Sequence, residues 1–356
     1  MTRTVGVDDP QDVPVGGGSR LSGLTATLLR SRTELAILLG MVVVLALMPA
    51  VVSGQLLTIA VRVLLFGLLG VAWNVMGGFA GQFSFGHAAF FGLGAYTTGV
   101  LLVEVGLSPW IGMAIGAVVA AIYGALEGWL SFRYKLQGAY FALATFAFAE
   151  MLRLFVLRSD ALNGAVGYRV PLLPESSWWM LQFPPDSPNY YFVMLGLLTL
   201  ALVVVILLVR STPGLFILAI RENEPAAEAA GVSATKYKVT AVALSAAMTA
   251  VGGSFYLMFF FFIDPEIAFG PRLSVEILLP AIIGGVGTIW GPAIGAVLLI
   301  GLGELSTMLV RNPPAFLSFL DGRSGVDLLI FALLLIGIIL FLPRGVYGTF
   351  ANRVQR

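Results

Sequence analysis

Cysteine is absent from the 356 residues, and histidine occurs once, at His87. Without a thiol there is no disulfide framework and no thiolate chemistry. A single histidine with no cysteine offers no zinc or haem ligand set. Charge is scarce too: Asp, Glu, Lys and Arg make up 11% of the chain, against about 25% in soluble domains. So few charges cannot cover a globule in water. The net charge of +1 leaves no electrostatic footprint for nucleic acid. A P-loop is missing as well. None of Lys135, Lys236 and Lys238, the only lysines, sits in a G-x-x-x-x-G-K-[ST] pattern. The chain is therefore not expected to hydrolyse ATP, to act as an enzyme or to bind a cofactor or metal itself.

What is abundant is apolar sequence. Hydrophobic residues make up 58% of the chain, mean hydropathy is +0.95, and many apolar runs approach or exceed the roughly 18 residues that mark a bilayer span. The expected fold class is all-α: a polytopic transmembrane helix bundle of about eight to ten spans. The spans read as 35–53, 56–77, 84–103, 109–131, 138–157, 190–209, 237–262, 273–288, 290–310 and 325–343. The short, glycine-rich 273–288 reads as a half-span or broken helix, and 77–86 as a candidate for irregular backbone. Such backbone is tolerated at membrane depth only where protein or a water-filled cavity surrounds it. Residues 1–33 are polar and carry Gly16, Gly17 and Gly18, the composition of a disordered tail. The expected division is thus a tail at 1–33, a transmembrane domain at 34–345 and a short cytoplasmic tail at 346–356.

Basic residues set the orientation. Arg20, Arg30 and Arg32 precede the first span, Arg133 and Lys135 follow the fourth, and Arg210, Arg221, Lys236 and Lys238 lie between the sixth and seventh. Arg344, Arg353 and Arg356 follow the last. With an even number of spans all four groups share one side, the cytoplasm, and both termini lie there. The 158–189 loop then faces outward, with Trp178, Trp179, Tyr190 and Tyr191 as an interfacial aromatic belt.

Residues 210–236, RSTPGLFILAIRENEPAAEAAGVSATK, read as more than a tether. Ser211 or Thr212 can cap a helix with Pro213 in its first turn, and Asn223 or Glu224 can cap a second with Pro225. The run AAEAA is a strong helix former. Gly231 suits the position just past a helix end, and Ser233 can cap the next span. Two short helices along the membrane surface are expected, presenting Arg221, Glu222, Glu224 and Glu228 to a partner. Spacing alone leaves a plain surface hairpin equally open.

The order of AWNVMGGFAGQFSFGHAAFFGLGAY, YFALATFAFAE, AIRENEPAAEAAGVSATKYK, GGVGTIWGPAIGA and LPRGVYG resembles the branched-chain amino acid permeases of ATP-binding-cassette importers, of the LivM type, across most of residues 35–345. The resemblance implies that segment 211–232 is a coupling segment. Its contact with an ATPase groove would run through Arg221, Glu222, Glu224, Ala226, Ala227, Glu228, Ala229, Ala230 and Gly231. It further implies a second permease subunit of the LivH type, two ATP-binding subunits that consume ATP, an external solute-binding protein, and a place in the bacterial inner membrane. The implied activity is translocation of branched-chain or related amino acids by alternating access. The competing class is an ion-coupled secondary transporter acting alone, with Glu276 and Glu304 as candidate ion sites.

Ionisable groups inside a span need an explanation, since a charge at the bilayer centre costs at least about 2.5–3.5 kcal/mol. Glu150 and Arg153, three apart on one helix, are expected to pair. Glu127 and Arg62 are expected to reach an interface by snorkelling. Asp264-Pro265 is expected to end one span and start an outer turn. Asn74, Gln82, Ser84, His87, Gly284, Gly285 and Gly287 are the candidate pathway residues. Two readings stay open for the glycines of 284–296: an unwound backbone facing a solute, or a tight turn with close packing. NGAVG at 163–167 is open between an external gate and an ordinary turn. Plotted on a helix, Ser84, Ala88, Gly92, Ala95 and Gly99 form a seam of small residues suited to close helix contact. His87 lies beside it and is expected to bond to a neighbouring helix or to the backbone near 77–82.

Overall fold

The computed structural model describes residues 36–52, 54–184, 187–311, 325–342 and 345–354. The expected tail at 1–33, Arg344 and Arg356 lie outside them. Residues 1–48 and 49–356 separate into two compact units. The first contributes the apolar helix α1, Ala36–Ala50.

In the second unit the helices follow the apolar runs. They are α2 (Gln55–Asn74), α3 (His87–Val103), α4 (Pro109–Arg133), α5 (Ala139–Arg158), α6 (Asn189–Arg210), α7 (Thr212–Glu222), α8 (Glu224–Ala229), α9 (Ala234–Phe260), α10 (Pro265–Phe269), α11 (Pro271–Gly284), α12 (Gly291–Arg311), α13 (Val326–Phe341) and α14 (Gly345–Val354). Six helices among the described residues are long and apolar enough to cross a membrane, and α1, α3 and the core of α13 are shorter apolar helices. The broken eighth span is α11, with Pro280 inside it. Every expected span therefore has a helix, and the fold is an all-α polytopic membrane bundle. α14 covers much of the stretch expected to be a tail.

Bilayer-embedded helices gain little from burying apolar surface, so contact is won by close packing and interhelical hydrogen bonds. The centre of the unit is the mutual packing of α3, α4 and α9, with α2 against α6, α9, α11 and α12. Ala89 and Phe90 of α3, Ala120 of α4, and Val242, Ala246 and Ala250 of α9 form a cluster closed to solvent. At its tightest point a Cβ on Gly94 would fall on the Ala250 carbonyl, and one on Gly253 on the Phe91 carbonyl. Backbone thus meets backbone between α3 and α9. Across the same pair Thr98 donates to Ser254 Oγ at 2.9 Å, and Ser254 donates to the Gly94 carbonyl at 3.0 Å.

This revises the expected seam. Helix α3 starts at His87, so Ser84 is not on it. Gly92 faces the Phe269 ring of α10, and Gly99 faces Leu257 and Tyr168. The closest approach runs through Gly94 instead. Both faces of α3 carry small residues, and spacing cannot say which one meets the longest neighbour.

The span ends opposite α7 and α8 are tied by short elements. Tyr168–Arg169 (β1) pairs antiparallel with Phe262–Ile263 (β2). NGAVG folds as tight turns leading into β1. Asp264 caps α10 by accepting from Ile267 N at 2.7 Å, as its Asp-Pro sequence indicated. Ser108 donates to the Trp179 carbonyl at 2.5 Å, and Trp178 and Trp179 stay exposed.

Two expected snorkelling residues behave otherwise. Glu127 is 1% exposed, and neither carboxyl oxygen has a hydrogen-bond partner. Its position in the last turns of α4 promised an interface, but that face packs against α9, with Gly128 on Val242 and Gly124 on Ala246. Arg62 does not reach outward either; it pairs with Glu304 of α12 at 2.7 Å. The Glu150–Arg153 pair forms as expected at 2.6 Å, and Arg153 also reaches Glu266 at 2.8 Å.

Two outcomes follow. Gly94→Val should separate α3 from α9, an overpacking cost of about 1–3 kcal/mol or more, and deplete the monodisperse species in gel filtration of detergent-purified protein. Gly196→Val, with open space at its Cβ, should leave that peak intact. Glu127→Met should raise the melting temperature, because it removes a buried unsatisfied group costing about 1–3 kcal/mol; a lower melting temperature would show that the carboxyl is compensated.

Candidate functional site

Helix α2 does not end cleanly. After Asn74 the backbone widens into a single π-helical turn, Val75–Phe79, then runs irregularly to His87. Such a turn leaves carbonyls without their usual helical partners. The second irregular stretch, between α11 and α12, lies against it. The Asn74 side chain joins the two: its Nδ2 donates to the Thr288 carbonyl at 2.8 Å, and its Oδ1 accepts from Gly287 N at 2.8 Å. One amide side chain thus satisfies a donor and an acceptor of a loop 213 and 214 residues away. Gly284 and Gly285 are buried at the base of this loop. Cβ atoms there and at Gly345 would strike neighbouring backbone, Gly284 on Gly291 and Gly345 on Gly285. Gly284 is thus held in close packing, and Gly287, at φ +76, in a tight turn.

The third participant comes from the α7–α8 segment. Arg221, near the end of α7, donates from Nη1 to the Gly78 carbonyl of the π turn at 2.8 Å. Its aliphatic stem lies beside Gly81, and its guanidinium beside Gly287. The structure thus brings Arg221 together with Asn74, Gly284, Gly285 and Gly287. Arg221 was expected to face a partner; its guanidinium reaches the Gly78 carbonyl while the side chain stays 37% exposed. Gln82 stands next to this junction, its side chain donating to the Ala80 carbonyl at 3.2 Å.

A second polar cluster adjoins the first through Ala72 and Trp73. His87 Nε2 is 2.9 Å from Ser245 Oγ of α9, and Nδ1 is 3.2 Å from Ser84 Oγ. Ser245 already donates to the Ala72 carbonyl at 2.7 Å. A hydroxyl has one proton to give, so Ser245 accepts from Nε2–H, and Ser84 donates to Nδ1. Trp73 Nε1 donates to the Ser84 carbonyl at 2.9 Å, and Ala88 N, in the first turn of α3, donates to Ser274 of α11 at 3.1 Å. His87 is wholly buried with both ring nitrogens engaged. It ties α3 to α9, the bond to a neighbouring helix that its position suggested.

The α7–α8 segment folds as its caps indicate. Ser211 Oγ accepts from Gly214 N at 3.2 Å, and Asn223 Oδ1 accepts from Ala226 N at 3.0 Å, with a proline in each first turn. Gly231 has φ +85, the left-handed conformation that suits glycine past a helix end. Ser233 occupies the cap position of α9 but makes no side-chain cap bond. Ile220, Ala227 and Ala234 pack together beneath the segment, so Ala227 faces inward. Glu224 does too: its carboxylate accepts from the Lys238 ammonium at 2.5 Å, and Lys238 is 4% exposed. Exposed along the segment are Arg221, Glu222, Asn223, Pro225, Ala226, Glu228, Ala229, Ala230 and Gly231. Sequence reading missed the inward roles of Arg221, Ala227 and Glu224. No spacing rule reaches Ala227 from Ile220, because the extended residue Asn223 separates α7 from α8.

The basic stretches also gather at one end of the unit. Lys238 Nζ lies 5.3 Å over the Phe132 ring, and Gln137 donates to Glu224 at 3.5 Å. The α4–α5 turn, with Arg133 and Lys135, is thus beside α8.

Residues 55–342 match the family described as branched-chain amino acid transport system / permease component. The chain belongs to that family. It is 29% identical over 290 residues to the high-affinity branched-chain amino acid transport system permease protein LivM of Salmonella typhimurium and to that of Escherichia coli, covering 75% of this chain and 67% of each relative. It is 23% identical over 294 residues to the LivH permease protein of the same system in Salmonella typhimurium, covering 80% of this chain and 91% of that one. No solved structure matches it. The chain is a multi-pass membrane permease component of the LivM type, and its relatives include both members of a permease pair.

Replacing Asn74 by Ala should strand Gly287 N and the Thr288 carbonyl, each at about 1–3 kcal/mol. Limited proteolysis of purified protein should then cut within 285–290 sooner. Asn74→Asp, which keeps the acceptor for Gly287 N, should show an intermediate rate.

Proposed function

We propose that this permease is a membrane-spanning subunit of an ATP-binding-cassette importer that moves branched-chain or related amino acids by alternating access. The observation that carries the reading is the capped α7–α8 segment. It is fixed to the bundle by the Arg221–Gly78 and Lys238–Glu224 contacts, and it leaves a small-residue face at Ala226, Ala229, Ala230 and Gly231 edged by Glu222 and Glu228. Small side chains admit close approach of a partner groove, and the flanking carboxylates set its register. The proposed partners are two ATP-binding subunits at this face, a second permease subunit of the LivH type and an external solute-binding protein. ATP is consumed by the partners; this chain contributes no nucleotide chemistry.

The basic ends clustered beside α8 support placing this face in the cytoplasm, with both termini on that side and the protein in the bacterial inner membrane. Movement of α8 would act on the π turn directly, because Arg221 links α7 to Gly78, and Asn74 links that turn to the α11–α12 loop. The ion-coupled reading loses support, since Glu276 pairs with Arg272 and Glu304 with Arg62, both at 2.7 Å.

The double substitution Ala229→Glu with Ala230→Glu should abolish ATP-dependent uptake of leucine in vesicles holding all subunits, while the protein remains inserted at normal levels. Normal uptake by that variant would overturn the docking role of α8. Uptake by the purified chain alone down an ion gradient would overturn the importer reading altogether.

A further inference from the structure

Far from α8, at the Gln55 end of α2, the Pro271 end of α11 and the Arg311 end of α12, the unit holds a cavity of about 900 Å³. Ligand cavities commonly span roughly 300–1,000 Å³. Its walls mix two kinds of group. Ile59, Phe66 and Leu299 supply apolar surface, while the ion pairs Arg62–Glu304 and Arg272–Glu276, together with Arg311, bring charge. Arg62 stands seven residues inside α2, roughly 10 Å along the helix axis from its start, so the charges sit within the span.

An ion pair that served only to join α2 to α12 could be enclosed between them, closed to any solute. This one is not: the Arg62 and Glu304 side chains are 39% and 30% exposed, and both line the open volume. A cation and an anion therefore stand side by side at a cavity with aliphatic and aromatic walls. That is the complement of a molecule carrying an anion and a cation one carbon apart on an apolar body.

We propose that this cavity is a binding chamber for a zwitterionic amino acid with an apolar side chain, on the side opposite the ATPase face. The α-carboxylate takes the Arg62 guanidinium, whose planar fork donates to both oxygens. The α-ammonium takes the Glu304 carboxylate. The side chain lies on Ile59, Phe66 and Leu299. Binding exchanges one protein ion pair for two protein–ligand pairs, and release restores the first, so neither protein charge is left unpaired in either state. A purely anionic or cationic ligand would orphan Glu304 or Arg62 inside the membrane, which is costly. The pairing thus selects net-neutral dipolar solutes, and the apolar wall selects among them. The inference rests on the amino-acid reading above and names a site for it.

The test has two arms. Leucine, leucinamide and 4-methylpentanoate, matched in side chain but zwitterion, cation and anion, are compared as stabilisers of the purified chain in thermal melts. Leucine alone should raise the melting temperature of the wild type. The rise should vanish in the neutral-pair variant Arg62→Gln with Glu304→Gln, which leaves no unpaired charge to unfold it. Leu299→Trp should abolish the rise with leucine and keep one with alanine. In the second arm, ATP-dependent leucine uptake by the full complex should show KM raised about tenfold or more in the neutral-pair variant. Stabilisation by leucine that survives in both variants, equal stabilisation by all three ligands, or no stabilisation of the wild type by leucine overturns the chamber. Uptake with an unchanged KM does the same while leaving the importer reading standing. Absence of any amino-acid uptake by the wild-type complex overturns that reading, and the chamber with it.

Discussion

Backbone amides and carbonyls at membrane depth have no water to turn to, so each must find a partner within the protein. In this permease that demand is most acute where α2 opens into a π turn and α11 breaks from α12. Asn74 answers it with both ends of one amide, and Arg221 supplies a third bond from outside the membrane helices. Remove the amide and two irregular stretches lose their common strut. The positions of α11, α12 and the connecting segment all refer back to that side chain.

The same demand explains the serine and histidine cluster. The His87 ring spans from Ser84 to Ser245, and Trp73 holds the Ser84 carbonyl. Residues 80–86 would otherwise be unsupported chain beside a helix start. Polar groups here are structural because the irregular backbone is there, and the irregular backbone in turn lets α7 reach the bundle core. The cluster and the α7–α8 segment are therefore parts of one connected arrangement. Under the proposed function, that arrangement lies between the energy source and the moving spans.

Much of the fold was legible in sequence because the bilayer imposes a length and a composition on each span. The capped helices at 212–229 were legible because serine, asparagine, proline and glycine each have a positional preference. The identity of side-chain partners was not. Arg62 meets Glu304 across 242 residues, and nothing at either position announces the other. Glu127 was misread for a related reason: its depth was right, but depth does not give rotation about the helix axis. Helices α3 and α9 are apolar or small around nearly their whole circumference, so their contact face could not be chosen from spacing. Of the candidate site, Asn74 and the 284–287 glycines were located, yet their relation to Arg221 required the fold.

The bundle has two chemically different ends. One gathers lysine and arginine around a small-residue helix face; the other holds the partly exposed ion pairs Arg62–Glu304, Arg272–Glu276 and Arg153–Glu150. Between them, α3 and α9 touch at their closest points through glycine against carbonyl, at Gly94–Ala250 and Gly253–Phe91. Sliding either helix along the other would drive a methyl or larger group into a main-chain oxygen at once. That contact is a lock against shear. Whatever conformational cycle this permease runs, α3 and α9 travel as a single rigid strut, and the give must come from helices bound to it through softer, side-chain-lined surfaces.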